Sequence, residues 1–458
     1  MAKFGTIAMN RPTSPLTSAV NRTGSGPDRL LADCPSDTQP STGDRFFGWR
    51  VVAAAFTVAV FGWGFGFYGP PVYLEVVRQA RGWPIALISG AVTLHFLVGL
   101  AIIPNLPRLY RRLGLPIVTF AGAIVMAMGV LGWAVATAPW QLYVAALLSG
   151  AGWSTLGAVA VNAIVSPWFA AKRPQALGIA FNGGSVGGVI FSPFWVALIN
   201  RIGFASAAVV VSIVMLATVG ALAALVLVRT PEGLGQAPDG ATAADSPASA
   251  ILNPEAPIAV VHLHLFHDRA FLTLCIGMTL ALFAQTGIVA HLVSVLAPTL
   301  GRQGAGLTAG AVGVTAVLGR LAVGSRADAK SNWRAIASYS LLAQALGCGV
   351  LMLAHGSPAL LILGAVLFGL GVGNAISVPP VIANLEFPRE DAARAVALIV
   401  AISQGAYALA PAIFGLLRQV WSDEIIFLTA VAIQLAGIAA YLLGRGADAL
   451  RRGRESLD

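Results

Sequence analysis

Twelve long apolar runs constrain this 458-residue chain more than any other feature, and Arg320 is the charged side chain that lies well inside one of them. A helix needs about 20 apolar residues to cross about 30 Å of hydrocarbon, and the runs are long and lack strand-like alternation. The sequence therefore predicts an all-α membrane protein with twelve spans. We place them at 49–73, 85–106, 115–137, 140–166, 175–199, 204–228, 270–297, 306–326, 334–354, 358–384, 394–417 and 424–444.

Composition agrees with this class of protein. The chain is 57% hydrophobic and 10% charged, whereas soluble domains carry about 25% charged residues. Its net charge of +9 could suggest nucleic acid, but the cations are distributed by topology. Eighteen occupy one set of alternate loops: Arg45, Arg50, Arg108, Arg111, Arg112, Lys172, Arg173, Arg229, Arg269, Arg326, Lys330, Arg334, Arg389, Arg394, Arg445, Arg451, Arg452 and Arg454.

The other set of loops contains five cations: Arg78, Arg81, Arg201, Arg302 and Arg418. By the positive-inside rule, both termini and the central loop are expected to be cytoplasmic. We expect an integral protein of a bacterial inner (plasma) membrane. Its expected partner is the lipid bilayer, and we expect no binding of nucleic acid. A functional monomer is the expected state.

The spans divide into two sets of six around a polar segment. Residues 1–44 are rich in Ser, Thr, Pro and Gly and predict a disordered cytoplasmic tail rather than a signal peptide. We predict a first six-helix bundle at 45–228, a flexible linker at 229–269, a second bundle at 270–444 and a cytoplasmic tail at 445–458.

The two predicted bundles also share a residue pattern. Three residues of the first recur 218 positions later in the second, as Phe169 and Phe387, Gly187 and Gly405, and Pro193 and Pro411. A common offset favours a duplicated six-helix unit, which in transporters places the binding site between the repeats. We predict two pseudo-symmetric six-helix bundles.

Three stretches resemble the major facilitator superfamily, in its monocarboxylate-transporter and oxalate/formate-antiporter branch. They are FFGWRVVAAAF at 46–56, GWPIALISG at 82–90 and WFAAKRPQALGIAFNGG at 168–184. The resemblance implies two bundles that rock about a central cavity. It also implies that an arginine of the eighth helix anchors the substrate carboxylate, and Arg320 matches that arginine.

The chain departs from this branch in four places. Ala316 stands where animal monocarboxylate transporters have an aspartate implicated in proton coupling. Their first-helix lysine is replaced near Pro71, and the antiporter's second cation has no counterpart between Ala395 and Leu417. Arg111 stands where the superfamily's usual motif has an acid. A single cation suits a monoanion better than a dicarboxylate.

Arg320 is the leading candidate for substrate binding, because a charge in hydrocarbon is costly and usually functional. The alternative is a side chain that extends to the membrane surface. His291 is predicted to bind substrate and to handle protons, and His95 is a weaker proton-coupling candidate. Either histidine could instead pack between helices.

Amides and tyrosines within the spans complete the predicted site. Asn374, Gln404, Tyr68 and Tyr407 are candidates to line the substrate cavity, with helix packing as the alternative. Asn162 and Asn182 are expected to hydrogen-bond within a bundle. Arg111, Lys172 and Arg173 are predicted to form a cytoplasmic gate, or to act as charges that set topology.

No catalytic or cofactor-binding motif appears. The sequence lacks a phosphate-binding loop, a nucleophile elbow and HExxH, and the spacing of the histidines in HLHLFHD does not suit a metal site. We expect no cofactor, no metal and no enzymatic activity. The leading prediction is secondary transport of a small organic monocarboxylate, by proton symport or anion exchange; efflux of apolar compounds and a membrane ligand sensor are the alternatives.

Overall fold

The spans predicted from hydropathy are helices in the computed structural model, which describes residues 46–238, 264–327 and 331–455. The predicted tail at 1–44, most of the linker at 229–269 and the last three residues lie outside the described residues. In the first half, spans 3 and 5 are single helices, Leu115–Val135 and Arg173–Ile202. Span 1 is divided into Gly48–Gly66 and Gly69–Arg81, and span 6 into Phe204–Leu222 and Ala223–Leu227. Span 2 consists of Ile85–Ile102, Ile103–Asn105 and Leu106–Leu113, and span 4 of Pro139–Leu156, Ala158–Val165 and Ser166–Trp168.

In the second half, a short helix His264–His267 precedes Arg269–Gly324, which forms spans 7 and 8. Spans 9, 10, 11 and 12 are Trp333–Met352, Pro358–Glu386, Arg389–Tyr407 with Ala410–Val420, and Ile425–Glu455. By length and composition, the described residues contain 11 helices able to cross a membrane.

The number is eleven rather than twelve because spans 7 and 8 form one helix that continues through a sharp turn. Arg269–Gly324 has 56 residues, about 84 Å at 1.5 Å per residue and more than twice the hydrocarbon thickness. Gly301 breaks it with φ 68° and ψ 166°, a conformation that glycine adopts without steric cost. Two antiparallel spans follow, and the prediction of twelve is confirmed.

The two halves have related local geometry. Phe169 (φ −133°, ψ 135°) and Phe387 (φ −104°, ψ 147°) are both extended, and each shortly precedes span 5 or span 11. Pro193 lies within span 5, and Pro411 lies in the first turn of the second helix of span 11. The shared positions support the predicted duplication, while the bounds of the two bundles stay predictions.

We call the end of the molecule that contains residues 106–114, 166–173 and 325–327 the basic end. The end with the turns at Gly82, Gly203 and Gly301 is the opposite end. Arg108, Arg111, Arg112, Lys172, Arg173, Arg229 and Arg326 lie at the basic end.

Span 8 packs closely against span 5 from the other half. A Cβ added at Gly306 would lie 2.9 Å from Val196, and one at Gly310 would lie 3.1 Å from Pro193. A Cβ at Gly313 would lie 3.2 Å from Val189. Small residues let helix backbones approach closely in a membrane. These glycines lie between Gly301 and Arg320, so they bring the two halves together between Arg320 and the opposite end.

Spans 2 and 11 form a second contact between the halves. The Ala412 amide donates to Thr93 Oγ1 at 2.9 Å, and the Ala86 amide donates to Gln419 Oε1 at 3.1 Å. A Cβ at Gly415 would lie 2.3 Å from Ser89 Oγ. These contacts lie between the middle and the opposite end, so they close that end of the molecule.

The sequence analysis gave Arg320 as the charged side chain well inside a span, and the structure adds an acidic residue in span 1. The helix continues past the predicted end at residue 73 to Arg81, and it buries Glu75, which is 2% exposed. Arg78 Nε donates to Glu75 Oε2 at 3.0 Å, and Gln79 also hydrogen-bonds this carboxylate. Local partners thus reduce the cost of a charge that a hydropathy window counts as isolated.

Arg334 and Arg418 are buried cations that the sequence analysis assigned to loops. Arg334 contacts both Glu386 carboxylate oxygens at 2.6 Å and also reaches Thr273 and the Ala270 carbonyl. Arg418 pairs with Asp423 at 2.8 Å. Each therefore has a carboxylate partner at a span end.

Candidate functional site

Arg320 lies in span 8, four residues before the helix ends at Gly324, or about 6 Å along the axis. Its Nε donates to the Gly373 carbonyl of span 10 at 3.2 Å. A Cβ on Gly373 would lie 2.1 Å from the Ala316 carbonyl oxygen and 3.3 Å from Arg320 Cβ. The missing side chain of Gly373 thus allows spans 8 and 10 to approach, and the guanidinium to turn towards the neighbouring span.

Asn182 of span 5 contacts the same guanidinium from the other half. Arg320 Nη1 donates to Asn182 Oδ1 at 3.4 Å. The sequence analysis expected Asn182 to pack within its bundle, and this is wrong, because its partner belongs to the other half. Its neighbours Gly183 and Gly184 contact span 1 of the same half, so FNGG carried no signal for the contact with Arg320.

The charge of Arg320 has no carboxylate partner among the described residues. Its hydrogen-bond acceptors there are the neutral oxygens of Gly373 and Asn182. A guanidinium carries five N–H donors, so three more are available for a ligand. Arg320 is half-buried and Asn182 is exposed, so the protein does not fully enclose this pair.

Tyr68 lies beside this site at the break between the two helices of span 1. Its ring packs on Gly188 of span 5, and it is near enough to Arg320 to interact electrostatically. With Ser192, Val293, Val312 and Val372 it lines a cavity of about 20 Å³ between the halves, room for about one water. An organic acid needs movement of these spans to enter this space.

Asn374 lies in span 10, next to Gly373. It is 4% exposed, and its Nδ2 is 3.5 Å from the Gly319 carbonyl. Its Oδ1 is buried without a partner among the described residues, as is Oε1 of Gln285 in span 7. Asn374 therefore lies at the same crossing of spans 8 and 10 as Arg320.

Gln404 and Tyr407 lie three residues apart on span 11, so their side chains share one face of the helix. The Tyr407 ring is 6.0 Å from that of Phe96 in span 2 and nearly perpendicular to it, at 76°. Tyr407 thus lies at the contact between spans 2 and 11. No described contact joins either residue to Arg320.

His291 lies in a different part of the molecule from Arg320. It is ten residues from Gly301 whereas Arg320 is nineteen, so the two differ in depth by about 14 Å. His291 Nε2 lies 3.0 Å from the Pro411 carbonyl and Nδ1 lies 3.2 Å from Arg418 Nη1. Because Arg418 and Pro411 supply a donor and an acceptor respectively, these contacts fit the neutral tautomer with hydrogen on Nε2.

His95 has both ring nitrogens occupied inside the first half. Its Nδ1 is 2.8 Å from Ser149 Oγ and its Nε2 is 2.9 Å from the Gly66 carbonyl. Trp133 Nε1 also donates to Ser149 Oγ at 3.1 Å. This network ties spans 1, 2, 3 and 4 together.

Two of the three predicted gate residues are exposed at the basic end, namely Arg111 and Lys172. Arg173 is half-buried and donates to the Phe169 and Ser166 carbonyls at 3.1 and 3.2 Å. It therefore stabilises the turn between spans 4 and 5, while its role in gating stays a prediction. Asn162, which was expected to bond within its bundle, donates to the Ala158 carbonyl of its own helix at 3.0 Å.

Comparison with known proteins identifies the class. The sequence model of the Major Facilitator Superfamily matches residues 51–343 and 274–456. The chain is 25% identical to the MFS transporter asaE of Aspergillus flavus, over 97% of each protein, and 27% identical to Monocarboxylate transporter 11 of Mus musculus, over 72% of each. A crystal structure of the nucleoside transporter NupG superposes with a TM-score of 0.66 at 14% identity, over 87% of this chain and 99% of that one.

This chain belongs to the major facilitator superfamily and resembles its monocarboxylate-transporter branch. It is an integral membrane transporter. The likeness to NupG shows the fold alone. Because the named relatives are from a fungus and a mammal, they lend no support to a bacterial membrane in particular.

Proposed function

We propose that the protein transports a small organic monocarboxylate by alternating access, with Arg320 as the group that binds the carboxylate. The observation that carries this proposal is a half-buried guanidinium whose acceptors, among the described residues, are neutral oxygens. A charge at membrane depth costs roughly 2.5–3.5 kcal/mol on insertion scales. A carboxylate that arrives from solution offsets this cost and can accept two parallel hydrogen bonds.

The charge balance of the site favours a monoanion. Arg334 and Arg418 are each paired with a carboxylate of the protein, so of these three cations Arg320 is the one left to pair with a substrate. A second carboxylate on the substrate would lack an equivalent partner. The 27% identity to a protein named a monocarboxylate transporter supports the same substrate class.

The contacts between the halves support a state that is open towards the basic end. Spans 5 and 8 and spans 2 and 11 meet towards the opposite end, whereas Asn182 is exposed beside Arg320. Reorientation then requires these contacts to separate while the basic end closes. Substrate that neutralises Arg320 lowers the cost of enclosing its charge during that movement.

Anion exchange is the coupling mode that the geometry favours over proton symport. Both nitrogens of His95 and His291 are engaged, and Arg418 faces Nδ1 of His291. The buried Glu75 is paired with Arg78. Neither imidazole contacts the guanidinium of Arg320, so neither is placed to exchange a proton with a carboxylate bound there.

The same proposal includes a membrane orientation. The described loops at the basic end carry most of the cations, so the positive-inside rule puts this end in the cytoplasm. Both termini then lie on the cytoplasmic side. The test uses Arg326→Cys and Arg302→Cys, each as a single cysteine, and an impermeant thiol reagent added to intact cells. We expect the cysteine at position 302 to be labelled and the cysteine at position 326 to be protected.

Counterflow in proteoliposomes tests the function. Vesicles preloaded with unlabelled acetate, L-lactate, benzoate or oxalate are mixed with the labelled acid, and we expect uptake of a monocarboxylate. Arg320→Ala and Arg320→Lys should abolish uptake, because neither retains the bidentate guanidinium. Arg326→Ala is the matched control, since Arg326 is exposed and bonds the Ala322 carbonyl of its own helix.

Normal uptake by Arg320→Ala would overturn the assignment of the site. Saturable binding without uptake would favour the ligand sensor. Efflux of apolar compounds that competes with none of the four acids, and that persists in Arg320→Ala, would favour the efflux transporter.

A further inference from the structure

We infer that Asn182 takes the place of the substrate carboxylate on Arg320 in the empty transporter, and that substrate must displace it in order to bind. This inference rests on the proposed function of Arg320. It concerns a residue of the other half that restrains the guanidinium and lowers the apparent affinity for substrate.

The geometry supports a competing acceptor. Arg320 Nη1 donates to the Asn182 side-chain oxygen at 3.4 Å, across the boundary between spans 8 and 5. The Nε donor on the same guanidinium is used by the backbone of Gly373. A carboxylate that binds Arg320 end-on with two oxygens uses Nη1 together with Nη2, and the Asn182 oxygen already holds Nη1, so the two acceptors compete for that edge of the guanidinium.

The chemistry of an amide suits this role. Its oxygen accepts a hydrogen bond from the guanidinium but carries no charge, so it satisfies a donor without neutralising the cation. A carboxylate forms a shorter and roughly twofold stronger bond. Substrate can therefore replace Asn182, whereas an aspartate at this position would pair with Arg320 permanently.

The position of Asn182 links this exchange to the two halves. Span 5 also meets span 8 through Val189, Pro193 and Val196, nearer the opposite end. The bond from Arg320 to Asn182 lies on the basic-end side of that contact. Binding of substrate therefore removes one bond between the halves at the end through which the substrate enters.

Three variants separate this role from others. In Asn182→Ala the competing acceptor is lost, and we expect the half-saturating concentration of substrate to fall by about threefold to tenfold, the factor for one modest hydrogen bond. In Asn182→Asp we expect substrate binding to be lost. Asn162→Ala and Asn162→Asp are matched controls, because Asn162 bonds within its own helix.

The experiment combines two measurements on purified full-length protein. The first needs no ligand and compares the melting temperatures of wild type, Asn182→Asp, Arg320→Gln and the double variant. We expect Asn182→Asp to raise the melting temperature by about 2 °C or more when Arg320 is present. In the Arg320→Gln background the unpaired acid should lower it.

The second measurement titrates sodium acetate, L-lactate and benzoate at constant ionic strength and follows the melting temperature. A lower half-saturating concentration in Asn182→Ala supports the inference. An unchanged or higher value would mean that Asn182 is a bystander or binds substrate directly, and would overturn it.

Failure of the inference and failure of the proposed function give different results. If Asn182→Asp shifts the melting temperature equally in both backgrounds, Asn182 and Arg320 do not interact and the inference fails, whatever the acids do. If no acid stabilises the wild type but the melting temperatures show the coupling, the contact is real, the proposed substrate class fails, and the claim of displacement fails with it.

Discussion

Gly373 accepts the Nε hydrogen of Arg320 at 3.2 Å, and it does so at a crossing where spans 8 and 10 leave no room for a side chain. The relationship is reciprocal. The glycine lets the helices approach, and the short distance in turn lets its carbonyl orient the guanidinium. A backbone oxygen on a packed helix is a firmer support than a second flexible side chain.

Gly373→Ala should therefore reduce uptake at least about tenfold while the protein still inserts into the membrane. The added methyl would lie 2.1 Å from the Ala316 carbonyl oxygen, so spans 8 and 10 must separate. Counterflow measures the loss. Gly349→Ala in span 9, where a Cβ meets nothing within 4 Å, is the control, and equal activity of the two variants would contradict the prediction.

Arg334→Ala should destabilise the protein by about 3–5 kcal/mol, because it breaks the buried, two-oxygen pair with Glu386 where spans 7, 9 and 10 end. Both carboxylate oxygens of Glu386 lie 2.6 Å from Arg334. The melting temperature in detergent checks this, with Glu386→Ala and the double variant alongside. Additive losses would show that the pair does not act as a unit.

Thr93→Val should favour opening at the opposite end, because the Ala412 amide loses its acceptor at the break in span 11. The measurement is the rate of maleimide labelling of Ser89→Cys, a position buried against Gly415, in a background without the three native cysteines. We expect faster labelling in Thr93→Val. Thr119→Val is the control, since Thr119 bonds the Leu115 carbonyl of its own helix.

His291→Gln should leave the response of uptake to an imposed pH gradient unchanged, although its overall rate can fall. His291 contacts Arg418 and the Pro411 carbonyl rather than Arg320, and an amide can also offer one donor and one acceptor. Uptake is measured with and without the gradient. A response present in wild type and absent in His291→Gln would show that His291 carries the proton.

Some residues of the candidate site could be predicted from the sequence and others could not. Arg320 was apparent because a cation within an apolar run is rare and because the sequence resembles a known branch. Asn374 was placed at the same crossing only through its position beside Gly373. Asn182 was assigned to bundle packing, since a sequence does not show which way a residue in the middle of a span faces.

The buried charges show the same limit. A hydropathy window ended span 1 before Glu75 because it counts a charge without its partner. The carboxylate is buried with Arg78 and Gln79 on the same helix. Arg418 was counted among the loop cations, yet it reaches Asp423, His291 and Ser294 at the end of span 11.

The sequence by itself determined the number of spans, their approximate bounds, the alternation of cationic loops and the presence of one cation within a span. These properties follow from the cost of moving each local segment into hydrocarbon, which depends on composition alone. The tertiary structure decided which neutral oxygens face Arg320, which carboxylates pair with Arg334 and Arg418, and why His291 lies apart from the candidate site. Except for the local pair of Arg418 and Asp423, those contacts join residues more than fifty positions apart in the sequence. They depend on how the helices rotate and cross, which small residues such as Gly373 determine.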